Sequence, residues 1–107
     1  MKRLPVRWSQ AAAFDLLEIV EFIRQDRPSA ASKLGRAVLR DVSLLSKNPK
    51  RGKVVPELWD QGISDYRQIL VSPYRVIYGI KANWVSIEAV IDSRRDMQDA
   101  LFQRLMR

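Results

Sequence analysis

The residues of this 107-residue chain best equipped for chemistry are two Tyr-Arg pairs, Tyr66-Arg67 and Tyr74-Arg75, and the run Arg94-Arg95-Asp96. A guanidinium is permanently charged and presents a planar fork of donors. Its chemistry is therefore bidentate recognition of phosphate or carboxylate and stabilisation of charge, with little capacity to abstract a proton. The sequence contains no histidine, which removes the commonest general base and the commonest metal ligand. It contains no cysteine either, which excludes a disulfide framework and thiolate metal sites. Neither a metal nor a cofactor is expected. Lys47, Lys50, Arg51 and Lys53 add a basic stretch with no acid among them, readable as a solvated loop or as phosphate contacts.

Nineteen Lys and Arg stand against twelve Asp and Glu, a formal charge of +7, and arginine outnumbers lysine about two to one. Such a balance implies an acidic partner, either nucleic acid or an acidic protein segment. The length fits one domain over residues 1–107 with its own core. MKRLPVRWSQ has no signal-peptide character and no apolar run reaches membrane-spanning length, so a cytoplasmic protein without membrane contact is expected.

The elements that must hold these residues can be read from periodicity. KRLPVRW is a short strand in which Pro5 fits only an edge position. Ser9 is a helix N-cap, followed by a stripe of Phe14, Leu17, Ile19, Val20 and Ile23 that runs to about Gln25. Pro28 opens a second helix with the stripe Leu34, Val38, Val42 and Leu45, ended by Asn48-Pro49, where asparagine accepts a left-handed conformation. The short link between the helices forces an antiparallel hairpin. Residues 46 to 64, with Pro49, Gly52, Pro56 and Gly62, read as a long connection. Strands Tyr66 to Val71, Tyr74 to Ile80 and Trp84 to Ile91 then form an antiparallel meander. In the last strand Val85, Ile87, Ala89 and Ile91 alternate with polar positions. Met97, Leu101 and Leu105 mark a terminal helix.

The fold class is α+β: an antiparallel sheet, in β-α-α-β-β-β-α order, with a helical hairpin on one face and the other face partly open. A two-residue Ser72-Pro73 turn pairs Val71 with Tyr74, Leu70 with Arg75 and Arg67 with Tyr78. Ile69, Val71, Val76, Tyr78 and Ile80 then lie under the helices, with Arg67 at the rim. Arg67 reads as a snorkelling side chain paired with Asp65 or Glu88. Arg75, beside Tyr66 on the open face, is either surface filler or a bidentate contact for phosphates or a partner's carboxylates. Trp84 reads as a partner anchor, and Trp59 as a plug beneath the loop.

The helical hairpin, Pro49-x-x-Gly52, Tyr66-Arg67, the run Tyr74-Arg-Val-Ile-Tyr78 and Val90-Ile-Asp-Ser-Arg-Arg-Asp96 together resemble the ParE/RelE superfamily of bacterial toxins, the plasmid stabilisation proteins, over nearly the whole chain. The resemblance implies the growth-arresting half of a type II toxin-antitoxin pair, neutralised by a cognate antitoxin. It implies one of two targets: DNA gyrase in the ParE-like branch, or mRNA cut on the ribosome in the RelE-like branch. The nuclease branch needs a base, an acid and charge stabilisation at the phosphate, and uses a tyrosine or histidine near the C-terminus. Here no tyrosine follows Tyr78, Phe102 cannot titrate, and Val71 stands where that branch tends to place a basic residue. The missing chemistry favours the gyrase branch. The expected target contacts are Arg75, Arg94, Arg95, Tyr66, Lys50 and Arg51, with Asp96 as a cap. Trp84, Met97, Leu101 and Leu105 are the expected antitoxin contacts, although the last three also read as a stripe packed on the sheet. A ribosome-dependent endoribonuclease and a non-toxic basic RNA-binding module are the alternatives, and no catalytic residue is assigned.

Overall fold

The computed structural model describes residues 3–106. Lys2, where the expected first strand begins, lies outside them. The strand itself is shorter, β1 (Val6–Trp8), and passes directly into helix α1 (Gln10–Arg24). Ser9 lies between them in an extended conformation, and its Oγ accepts the Ala12 N–H at 3.0 Å. That bond satisfies one of the orphan donors of the first turn and fixes where the helix starts.

The buried stripe of α1 differs from the expected one. Ala12, Leu16, Ile19 and Ile23 face the core. Phe14 and Leu17 lie on the opposite side of the helix, 60% and 67% exposed. Ala12 and Leu16 are in phase with Ile19 and Ile23 at 3.6 residues per turn, and positions 14 and 17 are not. Helix α2 (Pro28–Ser43) folds back on α1 and buries Ala31, Val38 and Val42. It does not end on Asn48. The chain first tightens into a 3-10 turn at Leu44–Ser46, and Asn48 has φ −136°, which is not left-handed.

The sheet has five strands in the order β1-β5-β4-β3-β2, the others being β2 (Lys53–Val54), β3 (Tyr66–Val71), β4 (Tyr74–Ile80) and β5 (Val85–Asp92). The β3–β4 register pairs Val71 with Tyr74, Leu70 with Arg75 and Arg67 with Tyr78, as anticipated. Strand β1 joins β5 in parallel, so an otherwise antiparallel sheet gains one parallel edge next to Pro5. Between β4 and β5 the register shifts: Ile77 opposes Ala89 while Tyr78 opposes Ile87. Glu88 is the extra residue, a β-bulge that reverses the facing of everything beyond it. Val85 and Ile87 therefore pack under the helical hairpin, and Ala89 and Ile91 pack on the opposite face. This is why the simple alternation expected for β5 does not hold.

The second face of the sheet is covered, which corrects the expected open face. The connection after α2 folds into a 3-10 turn (Pro49–Arg51), β2 and a short helix α3 (Pro56–Trp59). Val55 and Leu58 from that segment, with Met97, Ala100 and Leu101 of α4 (Met97–Leu105), pack on Ile77, Ala89 and Ile91. The driving force is plain: each square ångström of apolar strand surface left in water costs about 25 cal/mol. Among the described residues no helix is long and apolar enough to cross a membrane.

Candidate functional site

The covered face removes Arg75 from the accessible surface chemistry. Its Nη1 donates to Glu57 Oε1 at 2.8 Å and to Gln68 Oε1 at 3.1 Å, with only 18% of the side chain exposed. Tyr66 is not its neighbour, because Tyr66 opposes Gly79 and Arg75 opposes Leu70. Burial alone would raise the Glu57 carboxyl, but the Arg75 hydrogen bond, a backbone hydrogen bond and the charges of Arg75 and Lys53 outweigh it and hold it below the usual carboxylate range. Arg75 is thus neutralised inside the fold. Arg67 is also structural, but its partner is neither Asp65 nor Glu88: Nη1 donates to the Gly52 carbonyl at 2.7 Å.

Tyr78 holds the same loop from beneath. It is fully buried, its hydroxyl donates to Pro49 O at 2.7 Å, and it accepts the Gly52 N–H at 2.9 Å. Desolvation raises the phenol above its ordinary value, only partly countered by the Gly52 hydrogen bond and by Arg67 and Arg51. Tyr66, half-buried at the margin of the second face, is raised by desolvation and by the charges of Glu88 and Asp65. Tyr74 is 8% exposed and belongs to the core under the helices. The raised phenols of Tyr66 and Tyr78 are therefore poorly placed to act as bases near neutral pH.

Two adjacent exposed cations stand where β5 ends. The turn after Asp92 carries Arg94 and Arg95, both exposed, and Asp96 caps α4 by accepting the Asp99 N–H at 3.1 Å. Arg94 grips Asp92 bidentately, Nε to Oδ1 at 2.9 Å and Nη2 to Oδ2 at 2.6 Å. These bonds, a further hydrogen bond from the Arg94 backbone N–H and the charges of Arg94 and Arg95 lower the Asp92 carboxyl to about 2. Beside the two arginines runs a shallow groove walled by Phe22 and Ile19 of α1 and by Tyr74. Phe22, 78% exposed, was not foreseen as part of any site; its only signal in the sequence is an aromatic residue out of phase with the buried stripe. Lys50 and Arg51 are exposed but belong to the loop before β2, with β3 and β4 between them and β5. The fold brings Arg94 and Arg95 together and leaves Lys50 and Arg51 as a separate patch.

The residues assigned to partner contact are divided in the same way. Met97 and Leu101 are buried against the sheet and Leu105 packs at their margin. Trp84 is half-buried, with the Arg7 guanidinium 5.0 Å from its ring centroid. Trp59 is no plug; it is 61% exposed.

The chain thus combines a mixed sheet, a helical hairpin on one face, a short terminal helix on the other and a basic turn after its last long strand. The family model for the ParE toxin of the type II toxin-antitoxin system parDE matches residues 6–97. The chain belongs to the ParE toxin family. It is thereby the toxin component of a type II toxin-antitoxin system. Among solved structures, the ParE-family chain is similar to a chain of the chromosomal ParDE toxin-antitoxin system from P. aeruginosa, with a TM-score of 0.69 and 19% identity, covering 84% of this chain and 96% of that one. At that identity the likeness concerns the fold. No curated protein sequence matches. The family match ends at Met97, so it takes in the Arg94-Arg95 turn and stops where α4 begins.

Proposed function

We propose that this ParE-family toxin acts in the cytoplasm as a single-domain binding protein that inhibits DNA gyrase, and that a cognate antitoxin neutralises it. The supporting observation is the state of the ionisable groups. The sequence has no histidine, Tyr78 is held in two hydrogen bonds with its phenol raised, Tyr66 is raised and Tyr74 is buried. No histidine stands beside the exposed guanidiniums, and the nearest carboxylate, Asp92, is held by Arg94 and lowered to about 2, which makes it a weak base for a 2′-hydroxyl. Arg95, exposed beside it, remains well suited to grip phosphates or carboxylates. Arg94 and Arg95 are the principal target contacts, and Lys50 and Arg51 supply long-range attraction. The antitoxin contributes an acidic, apolar segment that answers the net charge of +7.

The test uses purified toxin with gyrase, relaxed plasmid and ATP. Loss of supercoiling or trapped cleaved DNA is expected, and co-addition of the protein encoded by the neighbouring reading frame restores supercoiling. Cleaved mRNA in a translation reaction, with supercoiling untouched, would overturn the gyrase reading in favour of a ribosome-dependent nuclease.

A further inference from the structure

A groove of about 540 Å³ lies between α3 and α4. Buried Leu58 and Leu101, with half-buried Ile63, supply its apolar lining, and Phe102 and Met106 stand beside them 61% and 39% exposed. Trp59 is exposed on the same short helix as Leu58. Exposed apolar side chains at the rim of an apolar concavity are a mark of interfaces, and aromatic and methionine side chains, here Phe102 and Met106, are types enriched in interface centres. The volume is enough for a few side chains of an incoming segment, the way an amphipathic helix seats its anchors.

The charge of the rim identifies the occupant. Glu57, Asp96 and Asp99 line the groove, and among the described residues no lysine or arginine does. This occurs on a chain with net charge +7, whose groove beside β2 sets Arg51 and Lys53 against Asp41 and whose groove beside α1 sets Arg94 and Arg95 against Asp15, Glu18 and Asp92, so that the α3–α4 groove alone of the three has carboxylates and no cation. Glu57 is already paired with Arg75, so the rim carboxylates that join no ion pair among the described residues are Asp96 and Asp99, both at the first turn of α4. A carboxylate-rich segment would meet carboxylates here, which is unfavourable by like-charge repulsion. We propose that the α3–α4 groove docks a short amphipathic segment of a second partner, apolar on one face and bearing lysine or arginine on the other, at a surface separate from the one that takes an acidic antitoxin segment.

The probe is a fluorescent synthetic peptide of about 14 residues, roughly four helical turns, with leucine and phenylalanine on one face and lysine on the other. A twin with glutamate in place of lysine is the control. Fluorescence anisotropy with the full-length toxin is expected to show binding of the lysine peptide only, weakening as salt rises from about 50 to about 300 mM. Backbone amide shifts should map to α3 and α4. Phe102→Ala and Asp99→Lys, both at exposed positions, should each weaken binding about tenfold while circular dichroism stays unchanged. Equal binding of the two peptides, no binding, or shifts confined to Arg94 and Arg95 would each overturn the proposal. So would sedimentation showing that the groove closes a homodimer that Phe102→Ala dissolves, because the occupant would then be a second copy. The readout does not involve gyrase or growth, so it stands apart from the proposed target.

Discussion

Arg104 and Asp15 are joined across the edge of the sheet: Nη1 of Arg104 lies 2.8 Å from both carboxylate oxygens of Asp15. Helices α1 and α4, which carry them, pack on opposite faces, so the pair wraps the edge of β5 just beyond the end of β1. There β5, still paired with β4, has no strand on its β1 side. Asp15 Oδ2 accepts the Val90 N–H at 2.9 Å, and Arg104 Nη2 donates to the Glu88 carbonyl at 3.1 Å, so two side chains take over the hydrogen bonding of an unpaired, bulged edge. Asp15→Ala leaves the Val90 N–H without its acceptor and the mostly buried Arg104 guanidinium without its counter-charge, holding only the Glu88 carbonyl, and should cost about 2–4 kcal/mol. Arg104→Ala should cost less, about 1–2 kcal/mol, because the Val90 bond survives and the freed carboxylate can hydrate at the edge. Urea unfolding of the singles and the double closes a cycle in which coupling of about 1 kcal/mol or more is expected. Strictly additive losses would mean that the two residues act independently.

Tyr78 is the post on which the basic loop is hung. Tyr78→Phe keeps the ring and deletes two buried hydrogen bonds, to Pro49 O and from Gly52 N–H, for a loss of about 1–3 kcal/mol with the urea m-value unchanged. Gly52 is needed here for room and not for conformation, since its φ is an ordinary −78°. A Cβ at that position would stand 2.6 Å from Tyr78 Oη and would run into the Gln68 carbonyl, a backbone atom of β3 that cannot move aside. Gly52→Ala should therefore detach β2, and amide exchange at Lys53 and Val55 should accelerate far more than in Tyr78→Phe. Protection factors equal to wild type in both variants would remove the loop-anchoring role.

How much of this was legible in the sequence depended on how local the physics was. The β3–β4 register followed from a two-residue turn and a period of two, and every expected pair is present. The caps at Ser9 and Asp96 follow from a side chain reaching three residues ahead. The non-local features were not legible. Arg75 finds Glu57 only because α3 folds over the second face, and nothing in residues 66–75 announces a carboxylate arriving from position 57. The bulge at Glu88 reverses Ala89 and Ile91 without any change in the alternation that periodicity reads. Helix α3 has four residues, too short for a periodic signal, although Pro56 at its first position was visible. The site followed the same division: Arg94 and Arg95 adjoin in the chain and were expected together, whereas Phe22 reaches them only through the packing of α1.

The Arg94–Asp92 fork has a measurable pH signature. Asp92 is lowered to about 2, against an ordinary value of about 3.9. A depressed folded-state value means that the stabilisation is fully present above about pH 3.9 and is lost as pH falls from there through about 2. Glu57, also lowered, contributes in the same sense, its share being lost as pH falls below its own ordinary value. In Arg94→Ala the Asp92 carboxyl should titrate part of the way back toward 3.9, because the backbone N–H of residue 94 and the charge of Arg95 remain. Carbon-detected NMR titration of the side-chain carboxyl measures this directly. An unshifted midpoint would show that the fork seen between the two side chains does not persist in solution.

The same fork ranks the two arginines as target contacts. Arg94 is 71% exposed yet bidentate to Asp92, so a phosphate or carboxylate approaching it must compete with a ligand already in place. Arg95 is exposed and joins no ion pair among the described residues. Arg95→Ala should therefore weaken toxicity more than Arg94→Ala, and the double substitution should abolish growth arrest. Asp92→Asn should release Arg94 and raise its share of the contact, so that Arg94→Ala becomes more damaging in that background than in the wild type. Both arginines lie outside the core, and unfolding free energies of the single arginine variants should stay within about 0.5–1 kcal/mol of wild type. Capture of the antitoxin by the double variant should remain measurable. Growth arrest undiminished by the double substitution would remove the pair from the target surface and shift attention to Lys50 and Arg51 on the opposite side of the sheet.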